Sequence, residues 1–168
     1  MSCPDCGAPA AGGRAGCQRL FDEVLAREFG DYRYGREHRL MVDAYSLQHP
    51  AEYMRSAKSY AAHLTGVYAA LERDGTVDVN RVVQAWLNGR RTFQRPGHPE
   101  PRQRGAVTII HVHEAGGPEE HLRRVREWAQ AAWEAWRDYH HVARQWIDEA
   151  TALHRSPGRQ RYDAGLTR

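Results

Sequence analysis

Residues 36–50 read REHRLMVDAYSLQHP, from Arg36 to Pro50. At about 100° per residue, His38, Val42, Tyr45 and His49 share one stripe of a helix. Leu40, Met41, Ala44 and Leu47 spread over most of the remaining circumference. A helix that is apolar nearly all round belongs inside a protein. The stretch therefore predicts a central buried helix carrying two histidines and a tyrosine, with other helices packed around it. Pro50 disfavours helical geometry at His49 and helps to end the helix there.

Working outward, Leu20, Phe21, Val24, Leu25 and Phe29 recur at spacings of three and four, so Cys17 to Phe29 reads as a helix. Gly30 is its terminator and Asp31–Gly35 a short link. A third helix is expected from Ala51 or Glu52 to Arg73, stopped by Asp74-Gly75. Asp78 caps a short one over Val79–Leu87, ended by Asn88-Gly89. Residues 88–105 form a long basic loop. Ala106 to His113, AVTIIHVH, alternates Val107, Ile109, His111 and His113 onto one face and reads as a strand. The last and longest helix runs from about Glu119 to Leu153, with Trp128, Trp133, Trp136 and Trp146 in its apolar period. The fold class is mainly α: a bundle of four to five helices, a zinc-clipped N-terminal knuckle and one short β element. One domain is expected over 1–154, with the knuckle in 1–17 and a basic flexible tail in 155–168.

The chain has 168 residues, 41% hydrophobic and 27% charged, which suits a globular protein with a real core. No run approaches the ~20 apolar residues of a membrane span. The N-terminus lacks the basic and apolar regions of a secretory leader. Net charge is +3, and Lys58 is the sole lysine among 24 basic residues. Arginines cluster at Arg90, Arg91, Arg95, Arg102 and Arg104, and again at Arg155, Arg159, Arg161 and Arg168. Both clusters lie in Gly- or Pro-rich segments and read first as solvated loops, with phosphate or nucleic acid as the alternative.

All three cysteines fall in the first 17 residues, an odd number that fits a reducing cytoplasm and a metal better than a disulfide scaffold. Cys3-Pro4-Asp5-Cys6-Gly7 has the form of a zinc knuckle, with two thiolates on one tight turn. Cys17 is a third ligand and a histidine the expected fourth. If the first two helices are antiparallel, positions whose numbers sum to about 66 lie side by side. Cys17 then faces His49, and His38 faces Glu28. His38 and His49 are separated by roughly 16 Å along a continuous helix, too far to share an ion. The ligand set is therefore Cys3, Cys6, Cys17 and His49, with His38 the runner-up for the fourth place. Such a closed site is structural, fastening a coreless segment to the helical hairpin.

The CPxCGA start, the third cysteine before LFxxxLAxEF, and HxLxVDAYxLQHP resemble an uncharacterised bacterial family, a domain of unknown function. The segment from Ser56 to His63-Leu64 and the Trp-rich last helix resemble it too, so the likeness runs from about Cys3 to Trp146. Met41 and Ser46 stand inside the central motif. The resemblance implies a bacterial, cytoplasmic, zinc-binding protein and brings no activity with it.

His38, Tyr45, His63 and His140 are the remaining candidates for chemistry. Histidines on separate helices of a bundle can build an internal metal or acid–base pocket, although each alone reads as a hydrogen-bonded core residue. Asp43 lies four residues after Arg39 and reads as its ion-pair partner. His111 and His113 share the strand face and could ligate together. The function expected is a small cytoplasmic zinc-binding module acting on an unknown protein partner or small ligand. The alternatives are a metal-dependent enzyme using that histidine pocket, and a nucleic-acid binder using loop 88–105. The 106–113 strand would offer an edge for a homodimer, and no membrane is involved.

Overall fold

The computed structural model describes residues 1–73, 77–89 and 94–155. Eight α-helices occur among them: α1 (Arg14–Gly30), α2 (His38–Gln48), α3 (Pro50–Tyr53), α4 (Ala57–Glu72), α5 (Val77–Leu87), α6 (Ile109–His113), α7 (Pro118–Ala135) and α8 (His140–Arg155). Single 3-10 turns cover Gly35–Glu37, Pro101–Gln103 and Arg137–Tyr139. The Asp74-Gly75 stop, the Asp78 side chain, Arg90 and Arg91, and the tail beyond Arg155 lie outside the described residues.

Helix α2 is central, as its pattern requires. Leu40, Met41, Asp43, Ala44, Tyr45, Ser46, Leu47 and Gln48 are all buried, and α2 lies against both α4 and α7. Three indoles of the tryptophan stripe use their N–H groups to tie neighbouring elements together. Trp128 donates to Gln48 Oε1 (2.9 Å), Trp136 to the Leu47 carbonyl (3.0 Å) and Trp133 to Glu72 Oε1 (3.0 Å). A buried indole costs least when its N–H has a partner, so these bonds fix the register of α7 on α2 and α4.

Three expectations are corrected. The strand over 106–113 is instead the short helix α6, and no strand occurs among the described residues. Its buried residues, Ile109 and Val112, are three apart, which suits a helix turned onto α1 and α7. The Thr108 N–H donates to His111 Nδ1, and Arg27 donates to the Val112 and His113 carbonyls at the other end. A lone strand would have had no partner for these groups. The edge foreseen for pairing with a second copy is accordingly missing.

The long last helix is two helices. Trp136 leaves helical geometry, and His140 Nε2 donates to the Trp133 carbonyl (2.8 Å), which also accepts from the Trp136 N–H (2.9 Å), while the His140 ring stacks on the Trp133 indole at 3.6 Å. The third helix is also divided. It breaks after α3 at Met54, and Ser56 caps α4 by accepting from the Ser59 N–H. Among the described residues eight helices, two of them short (α3 and α6), replace the four or five foreseen.

Asp43 is fully buried between α2 and α4. Arg39 Nε donates to both of its oxygens (3.0 and 2.9 Å), and His63 Nδ1 donates to Oδ1 (2.7 Å). The carboxylate has room only because α4 carries glycine at 66: a Cβ there would lie 2.2 Å from Asp43 Oδ2. In an open helix Gly→Ala stabilises by about 1 kcal/mol. Here Gly66→Ala is expected to destabilise by about 2 kcal/mol through overpacking, lowering the urea midpoint at unchanged slope. A raised midpoint would contradict the packing described.

Candidate metal centre

Residues 1–13 carry no helix and few apolar side chains, yet Cys3, Cys6, Ala8 and Ala10 are buried. Local bonds shape the segment. Cys3 N–H donates to Ala8 O (2.8 Å), and Gly7 N–H to Cys3 O (2.9 Å). Gly7 takes the left-handed φ of 78° on which the turn depends. The chain then passes close over α1, where a Cβ at Gly16 would fall 2.0 Å from the Ala11 carbonyl oxygen. Arg14 clamps the knuckle from outside through both oxygens of Asp5 (2.6 and 3.0 Å).

Four donor atoms converge inside this cover. Cys3 Sγ, Cys6 Sγ, Cys17 Sγ and a ring nitrogen of His49 all lie within 4.8 Å of one another, and all four residues are buried. Cys3 Sγ is 3.6 Å and Cys17 Sγ 3.5 Å from His49 Nε2, and Cys6 Sγ is 3.7 Å from Cys17 Sγ. Cys17 comes from the first turns of α1. His49 stands at the joint of α2 and α3, where its φ of −125° and ψ of 51° break the helix just before Pro50. Its Nδ1 faces the Tyr45 carbonyl at 2.8 Å. A carbonyl can only accept, so Nδ1 carries a proton, and Nε2 is the ring nitrogen turned to the thiols and left to ligate a metal. Such a cluster can hold one metal ion with every position filled from the chain.

Around the donors the walls are aromatic. Tyr45 stacks between Phe21 (3.9 Å) and His49 (4.0 Å), and its hydroxyl points at Cys17 Sγ (3.8 Å). Burial chiefly pushes that hydroxyl well above the usual phenol range. Gln48, next to His49, is fully buried and uses its whole amide: Nε2 donates to the Arg104 and Val107 carbonyls (2.9 and 2.7 Å), while Oε1 accepts from Trp128. Arg104 is likewise buried. It donates to the carbonyls of Pro99 (3.0 Å), Gln48 (3.2 Å) and Asp5 (3.4 Å). Neither residue was singled out from sequence. Gln48 sat in a helix read by its apolar faces, and Arg104 in a loop read as solvated.

The other foreseen residues are not gathered into one site. His38 Nδ1 donates to Glu28 Oε2 (2.7 Å), as far from the thiols as the helix length required. Cys17 with His49 and Glu28 with His38 are both pairs whose numbers sum to 66. Glu28 is shared with His121, whose Nε2 lies 2.9 Å from Oε1. His63 belongs to Asp43, His140 caps α7, and Tyr45 walls the thiol cluster. His111 and His113 are also separated in role: His111 accepts from Thr108, whereas His113 bonds Glu23 (2.6 Å). In the basic loop Arg104 faces inward, and Arg95 donates to the Arg55 carbonyl (3.1 Å) and lies over Tyr60.

The chain belongs to a family of unknown function (DUF5946), which it matches over residues 1–137. No curated protein and no solved structure matches it. The match takes in all four clustered residues and both helices that present them.

Without a cation the four groups share protons unequally. Contacts with Cys17 and Cys6 lower the Cys3 thiol in spite of burial, whereas contacts with Cys17 and Cys3, together with burial, raise Cys6. Burial opposes charge on His49, but its contacts with Cys17 and Cys3 prevail and raise it to about 9. At pH 7.5 the metal-free chain thus keeps protons on His49 and Cys6, both of which a metal must displace. Metal binding is expected to release roughly two protons or more, read by titration calorimetry in buffers of different ionisation enthalpy. No buffer dependence would contradict this protonation pattern.

Proposed function

We propose that the chain is a small zinc-binding protein whose Cys3His site is structural. It would serve in the cytoplasm as an accessory or interaction module. The observation that carries this reading is the shape of the cluster. A tetrahedral ion with Zn–S of about 2.3 Å and Zn–N of about 2.05 Å separates its ligands by about 3.8 Å (S to S) and about 3.5 Å (S to N). Three of the six separations between donors are 3.7 Å from Cys6 to Cys17, and 3.5 and 3.6 Å from the sulfurs of Cys17 and Cys3 to His49, and all six lie within 4.8 Å. Three thiolates and an imidazole in this geometry favour zinc, with iron the competing ion.

A structural role follows from closure. Four protein donors leave no position for substrate, and all four residues are buried. Zinc here joins a segment with almost no core of its own to α1 and to the α2–α3 joint. Buried free thiols suit a reducing compartment. Among the described residues no helix is long and apolar enough to cross a membrane. The histidine-pocket alternative finds less support, because His38, Tyr45, His63 and His140 each serve a different partner. Loop 88–105 as a nucleic-acid surface is weakened by the burial of Arg104 and by the contacts of Arg95 with the Arg55 carbonyl and the Tyr60 ring.

Purified protein is expected to contain one zinc per chain. Cys6→Ser should lose most of it. At free zinc a thousandfold above Kd the ion contributes about 4 kcal/mol, so its removal should lower Tm by roughly 8–16 °C. A protein prepared under reducing conditions without zinc, and indifferent to its addition, would refute the reading.

A further inference from the structure

We propose that the metal centre controls the conformation of residues 94–108, with Arg104 as the positioning residue that couples the two. The proposal rests on the zinc reading above and adds a regulatory consequence to it.

Residues 94–108 contain no regular structure beyond the 3-10 turn Pro101–Gln103. Their shape depends on bonds to other parts of the chain, and most of these meet beside the metal ligands. Arg104, with a side chain 3% exposed, reaches three carbonyls. One belongs to Asp5, inside the knuckle between Cys3 and Cys6. Another belongs to Gln48, the neighbour of His49. The third, Pro99, lies within the segment itself. Its Nη2 also donates to His98 Nδ1 (3.3 Å). Gln48 returns two bonds to the segment, at the Arg104 and Val107 carbonyls. One guanidinium and one amide thus tie both metal-bearing loops to the same stretch. The far end is held separately, by the Tyr60 hydroxyl on the Gly97 carbonyl (2.6 Å) and by Arg95 on Arg55.

Charge gives this clamp its dependence on metal. Three thiolates, a neutral imidazole and a divalent ion sum to −1. Arg104 is the buried cation beside that anionic centre, with Asp5 Oδ1 3.9 Å away and itself held by Arg14. When the metal leaves, the nearly coreless segment that carries Asp5 loses its fastening to α1 and His49, so the Asp5 carbonyl and carboxylate are no longer held beside Arg104. Arg104 then keeps a buried charge without its partners, which favours its withdrawal into water and release of the segment. The coupling is reciprocal: loss of Arg104 must weaken the metal by the factor by which loss of metal loosens Arg104.

The test uses the full chain, with zinc affinity read by chelator competition and segment order by hydrogen exchange. Arg104→Met removes charge and donors, and it is expected to weaken zinc by about 10- to 100-fold, as outer-shell partners of metal sites do. Arg104→Lys keeps the charge without the fork, so it should hold zinc more tightly than Arg104→Met yet leave 94–108 as exchangeable. Arg102→Met, at an exposed neighbour, should match the unaltered chain in both readouts. Stripping zinc from the unaltered protein should speed exchange across 97–108 while α7 stays protected. The coupling is overturned if the chain binds zinc but Arg104→Met and Arg104→Lys bind it equally well, or if exchange in 97–108 ignores zinc. If the unaltered chain binds no zinc, the metal reading itself fails, and the coupling fails with it.

Discussion

Everything at the N-terminal end of this molecule depends on four donor atoms closing on one point. Cys3 and His49 are 46 residues apart in sequence, and their donor atoms lie 3.6 Å apart. The segment that brings Cys3 and Cys6 there cannot hold itself in place by apolar burial, since its buried side chains other than the cysteines are two alanines. Ordering it costs conformational entropy at every residue. Metal ligation can offset that cost at a single point, which explains how a coreless segment holds two buried cysteines against α1 and His49.

The rest of the fold is organised by α2, and its polar residues matter as much as its apolar ones. Asp43 and Gln48 are wholly buried on it. Each is completed by partners from other elements: Asp43 by His63 on α4, and Gln48 by Trp128 on α7 and by the backbone after Arg104. Glu28 does the same for α1, joining His38 and His121. Buried polar groups of this kind tolerate few alternative packings, because a slip leaves a donor or carboxylate without a partner. His121 Nδ1 departs from that rule, buried without a hydrogen-bond partner.

Much of this was legible in the sequence. The period of Arg36–Pro50 identified the buried helix. The antiparallel register of the first two helices paired Cys17 with His49, and the rise per residue separated His38 from them. What escaped was decided by contacts that carry no periodic signal. The Val107, Ile109, His111 and His113 alternation imitates a strand, but Ile109 and Val112 face the core, and Arg27 from α1 supplies the terminal hydrogen bonds. The break after Ala135 comes from a histidine ring reaching back to a carbonyl, within a run whose side chains keep helical period throughout. Arg104 offered no clue, because its neighbours Pro101, Arg102, Gln103 and Gly105 read as a polar loop and its burial depends on segments far along the chain.

X-ray absorption at the zinc edge of the purified protein tests the central claim most directly, since it reports the ligand atoms themselves. Three sulfur neighbours at about 2.3 Å and one nitrogen at about 2.0–2.1 Å are predicted, with the sulfur count falling to two in the residual zinc that Cys6→Ser retains. A first shell dominated by oxygen, or one unchanged by Cys6→Ser, would contradict the account.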